Sequence, residues 1–107
     1  MKIQAVLFIA ILGVLSISNA FSQSKTEKFK VYGNCGMCET TIEKAAKSVD
    51  GVSSAEWDIA KDEITVVYDV SLTNVDAIHK AIAEAGYKTE KEKADTKAYN
   101  ALPACCR

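Results

Sequence analysis

The segment GNCGMCETTIEKAAKSVDGV, residues 33–52, sets two cysteines, Cys35 and Cys38, directly ahead of a helical pattern. From Glu39 onward the apolar residues Ile42, Ala45, Ala46 and Val49 recur at i, i+3, i+4 and i+7, the spacing of one helix face. Asp50-Gly51 stops that helix, with glycine in its usual place after a last turn. Upstream, KFKVY (28–32) alternates, with Phe29 and Val31 on one side and Lys28, Lys30 and Tyr32 on the other, as a strand does. The cysteine pair therefore lies at a strand-to-helix junction, with Cys38 at or next to the helix N-terminus. Unpaired backbone N–H groups and the helix dipole favour a thiolate there. Thiolate is the form that binds metal and also the form that attacks disulfides, so position alone leaves both chemistries open.

The pattern extends on both sides. Ser22 to Glu27 is polar and reads as irregular chain. A second strand is expected over Val52–Ile59, carrying Val52, Ala55 and Trp57, then a tight turn at Lys61-Asp62. EITVVYD (63–69), rich in β-branched residues, is a third strand. SLTNVDAIHKAIAEAG (71–86) is a second helix with Val75, Ile78, Ile82 and Ala85 along its apolar stripe. Thr73 and Asp76 resemble a capping box at its start, and Gly86 closes it. YKTEK (87–91) is a short fourth strand. The order β-α-β-β-α-β predicts an α+β, ferredoxin-like sandwich: a four-stranded antiparallel sheet with both helices on one face.

The chain has 107 residues, room for one small domain. Residues 1–20 read as a signal peptide: Lys2 is the positive start, Ile3–Ile17 the apolar run and Ser18-Asn19-Ala20 the small-residue cleavage site. A membrane anchor needs about twenty apolar residues, more than this run offers. No cysteine adjoins the cut, which argues against lipid anchoring. The expected product is periplasmic or secreted, with no membrane insertion after cleavage. Losing Lys2 moves the formal charge from −1 to −2, and with no basic stripe nucleic acid is excluded as a partner. All four cysteines, Cys35, Cys38, Cys105 and Cys106, survive processing. An even number in an oxidising compartment first suggests disulfides.

Three features separate metal binding from disulfide chemistry at Cys35 and Cys38. Thioredoxin-type enzymes face their cysteine pair with a cis-proline, and the only proline here is Pro103, beyond any expected strand. The element order also differs from theirs. A zinc site requires four ligands, whereas the domain body offers two cysteines and His79, which reads as a surface or half-buried helix residue. Two thiolates on a loop are a complete site for a linear, soft ion such as Cu(I) or Hg(II).

The motifs GNCGMCETTIEKAAKSVDGV, EITVVYD and IHKAIAEAGY resemble the heavy-metal-associated domain family. With an export signal in front, the chain is most similar to periplasmic mercuric-ion-binding proteins and secreted copper-chaperone-like members. The resemblance covers residues 27–91. It implies the same βαββαβ fold, with Cys35 and Cys38 as metal ligands and Tyr87 beside the metal loop, either as an outer partner of the site or as packing beneath it. Family members carry a buried methionine two residues before the first cysteine, followed by threonine. Gly33 and Asn34 stand there instead, which implies a less rigidly held loop. Met37, between the cysteines, reads as a hydrophobic cover over the site in preference to a thioether ligand.

Residues 92–107 form a tail ending in PACCR. The fourth strand runs away from the metal loop, so the tail must double back by about 15–20 Å. Residues 91 to 105 span at most about 45 Å when extended, enough to return. Cys105 and Cys106 are therefore open to three fates: disulfides with Cys35 and Cys38, extra metal ligands, or action on another molecule. As ligands they would make Zn(II) or Cd(II) competitive with Cu(I). The expected function is a non-enzymatic carrier or scavenger of a soft metal ion, passing it by thiolate exchange to a metal-transporting membrane protein or another thiol protein. A monomer is expected, with a metal-bridged dimer as the variant. The alternative is a thiol–disulfide oxidoreductase or redox sensor using the Cys35/Cys38 couple.

Overall fold

The computed structural model describes residues 23–107. The leader expected at residues 1–20 lies outside the described residues. The chain forms β1 (Ser24–Tyr32), α1 (Gly36–Lys47), β2 (Val52–Asp58), β3 (Glu63–Asp69), α2 (Val75–Glu84), β4 (Lys88–Thr89), α3 (Thr96–Asn100) and a 3-10 turn over Ala104–Cys106. The sheet order is β2-β3-β1-β4 with every pairing antiparallel, the ferredoxin-like arrangement the element order predicts. Alternation decides which face is dry. Phe29 and Val31 of β1, Ala55 and Trp57 of β2, and Ile64, Val66 and Tyr68 of β3 all point into one core. Ile42 and Ala46 of α1 and Ile78 and Ile82 of α2 close it from the helix side.

Four local expectations need correction. β1 begins at Ser24, although the polar run before Lys28 reads as irregular, because its backbone pairs with all of β3, Ser24 lying opposite Asp69. Ladder hydrogen bonds come from the main chain and need no apolar side chains. β4 has two residues where five are expected. Side chains replace the missing ladder: Glu90 Oε1 accepts from Lys30 N at 2.8 Å, while Thr89 Oγ1 accepts from Lys91 N at 3.2 Å and Glu92 N at 3.0 Å and turns the chain away. The cap of α2 is Asn74, whose Oδ1 accepts from Ala77 N at 2.9 Å, while Thr73 N is spent on the Asp69 carbonyl.

His79 is the fourth correction. It is only 1% exposed and stacks on Phe29, ring centroids 3.8 Å apart. Its Nδ1 lies 2.7 Å from Thr89 Oγ1. That oxygen already accepts two main-chain N–H groups, so its own hydrogen goes to Nδ1, which assigns the neutral ring with its proton on Nε2. Burial pushes the His79 pKa down, Lys91 adds to this, and Glu90, Asp76 and Glu92 oppose it. A depressed folded-state pKa means the unfolded chain takes up the proton first as pH falls. Stability is thus fully present above the ordinary histidine value near pH 6.5 and is lost as pH falls towards the folded-state value. The melting temperature is expected to drop by roughly 3–6 °C between pH 7.5 and pH 5. His79→Gln, which keeps a partner for Thr89, should flatten that dependence; an equal drop in both proteins would contradict this account.

The tail returns across the domain instead of trailing from it. Asp95 N donates to the Ala83 carbonyl at 2.9 Å, and the Asp95 carboxylate caps α3 by accepting from Ala98 N at 2.9 Å. Gly86, at φ +105°, lets α3 approach: a Cβ there would sit 3.0 Å from the Ala98 carbonyl carbon and from Tyr99 N. The turn that ends α2 is therefore also the seat of the returning tail.

Candidate metal centre

The loop between β1 and α1 is held from below by Trp57. Its indole Nε1 donates to the Val31 carbonyl at 2.9 Å, and its ring fills the space beside Gly33. A Cβ on Gly33 would meet Trp57 Cη2 at 2.9 Å and Ile42 Cδ1 at 3.2 Å. The volume that a side chain at position 33 would fill is thus taken from the opposite strand, so the loop is packed despite lacking a methionine. Nothing in the local sequence of the loop announces this partner; only the bulk of Trp57 on the inward side of β2 hints at it.

Cys35 is the N-cap of α1, with extended backbone (φ −153°, ψ 174°) and no side-chain cap bond. Cys38 sits inside the first turn and is fully buried. The tail brings the second pair onto this loop. Cys106 is buried and disulfide-bonded to Cys38, Cα atoms 5.9 Å apart. Cys35 and Cys105 stay free, their sulfurs 3.0 Å apart. Cys35 Sγ is also 3.7 Å from Cys38 Sγ and 4.0 Å from Cys106 Sγ, and Cys105 Sγ is 3.9 Å from Cys106 Sγ. Asn34 Nδ2 donates to the main-chain oxygen of Arg107 at 2.9 Å, a non-sulfur tie that sequence reasoning missed. All four candidate cysteines therefore meet at one point. Of the fates open to the tail pair, a disulfide is realised for Cys106 alone, and it consumes Cys38 as a thiol.

In the neutral pair Cys35 Sγ donates to Cys105 Sγ, and Cys105 Sγ in turn points its hydrogen at Met37 Sδ. On ionisation the directions of the two shifts favour Cys35 as the thiolate. Cys35 is held below the ordinary thiol value, first by the Cys105 hydrogen bond, against the upward push of burial, with smaller help from the main-chain N–H groups of Met37 and Cys38. Cys105 is raised by the same hydrogen bond, by burial and by the Cys35 charge. As pH rises from 5, Cys35 should therefore react with iodoacetamide at lower pH than Cys105, read by peptide mapping of the oxidised protein. A shared midpoint for the two would contradict the assignment.

Tyr87 is buried at 1% exposure, and its hydroxyl has no hydrogen-bond partner among the described residues. Burial raises its pKa, Thr41 opposes this without full hydrogen-bond geometry, and the charges of Cys35 and Cys105 add smaller contributions to the rise. Tyr87 thus lies under the loop within electrostatic reach of both free thiols, so the packing and outer-partner readings describe one position. Met37 is 63% exposed, too open to roof the site, with its Sδ 3.8 Å from Cys105 Sγ.

Comparison with known proteins agrees with this geometry. The heavy-metal-associated domain matches residues 30–88. The mercuric transport protein periplasmic component of Shewanella putrefaciens is 39% identical over 75 residues, covering 69% of this chain and 82% of that protein. Copper chaperone CopZ of Staphylococcus aureus strain RF122 is 37% identical over 54 residues, 50% of this chain and 79% of its own. A copper-exporting P-type ATPase of Staphylococcus saprophyticus is 34% identical over 71 residues, 65% of this chain but only 9% of the ATPase. Among solved structures, oxidized MerP from Ralstonia metallidurans CH34 superposes with a TM-score of 0.59 at 32% identity, covering 63% of this chain and 94% of that one. The fold, the junction that presents Cys35 and Cys38, and the match across more than half the sequence agree: the chain belongs to the heavy-metal-associated domain family.

Proposed function

We propose that this protein is an exported, non-enzymatic carrier or scavenger of a soft metal ion, Cu(I) or Hg(II), held by the thiolates of Cys35 and Cys38. The observation that carries the reading is the position of Cys35: it is the N-cap residue of α1, and Cys38 Sγ is 3.7 Å away. Two thiolates at that spacing satisfy a linear thiophilic ion without further ligands. The relatives named for mercuric transport and copper chaperoning support the same ion class. Release proceeds by stepwise exchange with an acceptor's thiols, on a metal-transporting membrane protein or another thiol protein, with Glu39 at the loop helping to orient it. Residues 1–20 would direct the chain to the periplasm or beyond.

The Cys38–Cys106 bond favours a second reading, a thiol–disulfide oxidoreductase. The Cys35 thiolate attacking Cys38 Sγ would form a Cys35–Cys38 bond and release Cys106 as thiolate. One experiment separates the two. The reduced protein is offered Cu(I), Hg(II) and Zn(II) together against a competing small thiol and examined by native mass spectrometry, and disulfide exchange on a model substrate is assayed in parallel. The carrier reading expects one retained ion and exchange no faster than that of a free thiol. No retained metal together with catalysed exchange reverses the assignment.

A further inference from the structure

We propose that Cys105 and Cys106 are ligands themselves, and that after reduction of the Cys38–Cys106 bond they close, with Cys35 and Cys38, a four-thiolate site for one tetrahedral divalent ion of the Zn(II) and Cd(II) class. This rests on the carrier reading and extends it from two ligands to four.

The sulfur geometry carries the inference. At a metal–sulfur distance of about 2.3 Å, the edge of a tetrahedral thiolate cage is about 3.8 Å. The separations Cys35–Cys38, Cys105–Cys106 and Cys35–Cys106 are 3.7, 3.9 and 4.0 Å. Cys35, Cys105 and Cys106 form a cluster whose ligand atoms all lie within 4.8 Å of one another. Of the other three edges of the cage, two are shorter than the tetrahedral value. The exposed Cys105 must swing away from Cys35, opening 3.0 Å by about 0.8 Å, and the sulfurs of Cys38 and Cys106 must part. The second is a redox step. An external dithiol gives two electrons and two protons to the bond and leaves as its own disulfide, and Cys38 and Cys106 become thiols. Metal binding then expels the thiol protons to solvent.

The returning tail is seated independently of its sulfurs, which sets it apart from a chain end caught by one chance disulfide. Asp95 N on the Ala83 carbonyl, α3 against Gly86, and Asn34 on the Arg107 main-chain oxygen all survive reduction. A linear ion needs only two thiolates, so for it the tail pair is surplus. A tetrahedral ion uses all four. The buried Tyr87 hydroxyl beside the cluster, unpartnered among the described residues, is a donor suited to the excess negative charge of four thiolates on a divalent ion.

The test uses the reduced full chain with one equivalent of Cd(II). Native mass spectrometry counts ions per chain, and iodoacetamide labelling with peptide mapping counts protected thiols. The expected result is one Cd(II) per single chain with all four cysteines protected, and all four labelled once Cd(II) is stripped. Labelling of Cys105 or Cys106 in the Cd(II) form overturns the four-thiolate site, while continued protection of Cys35 and Cys38 leaves the carrier reading standing. Labelling of all four overturns the four-thiolate site as well; the carrier reading is judged separately, by Hg(II) offered to the same reduced chain, and falls only if Hg(II) too leaves Cys35 and Cys38 labelled. An ion shared between two chains also overturns it. The variant Cys105→Ser/Cys106→Ser should hold Cd(II) roughly 100-fold less tightly against a competing chelator, with Hg(II) retention changed far less. Unchanged Cd(II) retention in that variant would equally overturn the proposal.

Discussion

Cys35→Ser is expected to weaken retention of any thiophilic ion by roughly 100-fold or more, the largest functional loss of any single substitution in the cluster. The reason is its place at the centre: Cys35 Sγ lies within 3.0, 3.7 and 4.0 Å of Cys105, Cys38 and Cys106. Its pKa is also lowered, first by the Cys105 hydrogen bond and to a smaller degree by main-chain N–H groups at the start of α1, which favours its thiolate form. Serine keeps the cap position and nearly the same volume, so the fold should survive. The Cys38–Cys106 disulfide should still form on oxidation, because neither partner depends on Cys35. The check is competition against a chromophoric chelator for the reduced protein, with a thiol count on the oxidised one. Wild-type retention by Cys35→Ser would move the site to Cys38 and the tail and refute the central role given to Cys35.

Trp57→Ala is expected to cost about 3–5 kcal/mol, the largest loss of stability among single substitutions near the site. The indole is 4% exposed, it packs against the space over Gly33, and its Nε1 satisfies the buried Val31 carbonyl. Truncation leaves both a cavity and an unpaired acceptor. Gly33→Met alone should also destabilise, since a Cβ there already meets Trp57 at 2.9 Å. The two together should cost less than the sum of the single changes, because the methionine can enter the volume the indole vacates. Urea unfolding of the four proteins in the cycle measures this. Strict additivity would show that Trp57 and position 33 do not share that space.

The βαββαβ order was legible because periodicity reports burial directly. The helical spacing of Ile42, Ala45, Ala46 and Val49 and the alternation of Ile64, Val66 and Tyr68 are one-dimensional records of which side faces the core. β3 matches its expected range because four consecutive β-branched residues, Ile64 to Val67, fill its middle. The ends of β1 and β4 were not legible, because pairing there depends on what the neighbouring backbone offers. The same limit applies to His79. Its burial follows from Phe29 and Thr89 arriving from other strands, and a lone histidine on a helix carries no mark of that.

At the site the division is similar. The spacing of Cys35 and Cys38 at a strand-to-helix junction was sufficient to propose them as a thiolate pair, since two residues between cysteines ahead of a helix keep both sulfurs at its N-terminus. The tail's reach was calculable from chain length, but its destination was not. That Cys106 meets Cys38 while Cys105 meets Cys35 depends on α3 settling against Gly86 and on Asn34 holding Arg107, contacts between residues far apart in the chain. Local pattern thus determines which elements form and which face each one buries, because those depend on neighbours three or four residues away. Which sulfurs share one point, and what fills the gap left by Gly33, is decided only when distant segments pack, because close packing admits one side chain to each volume.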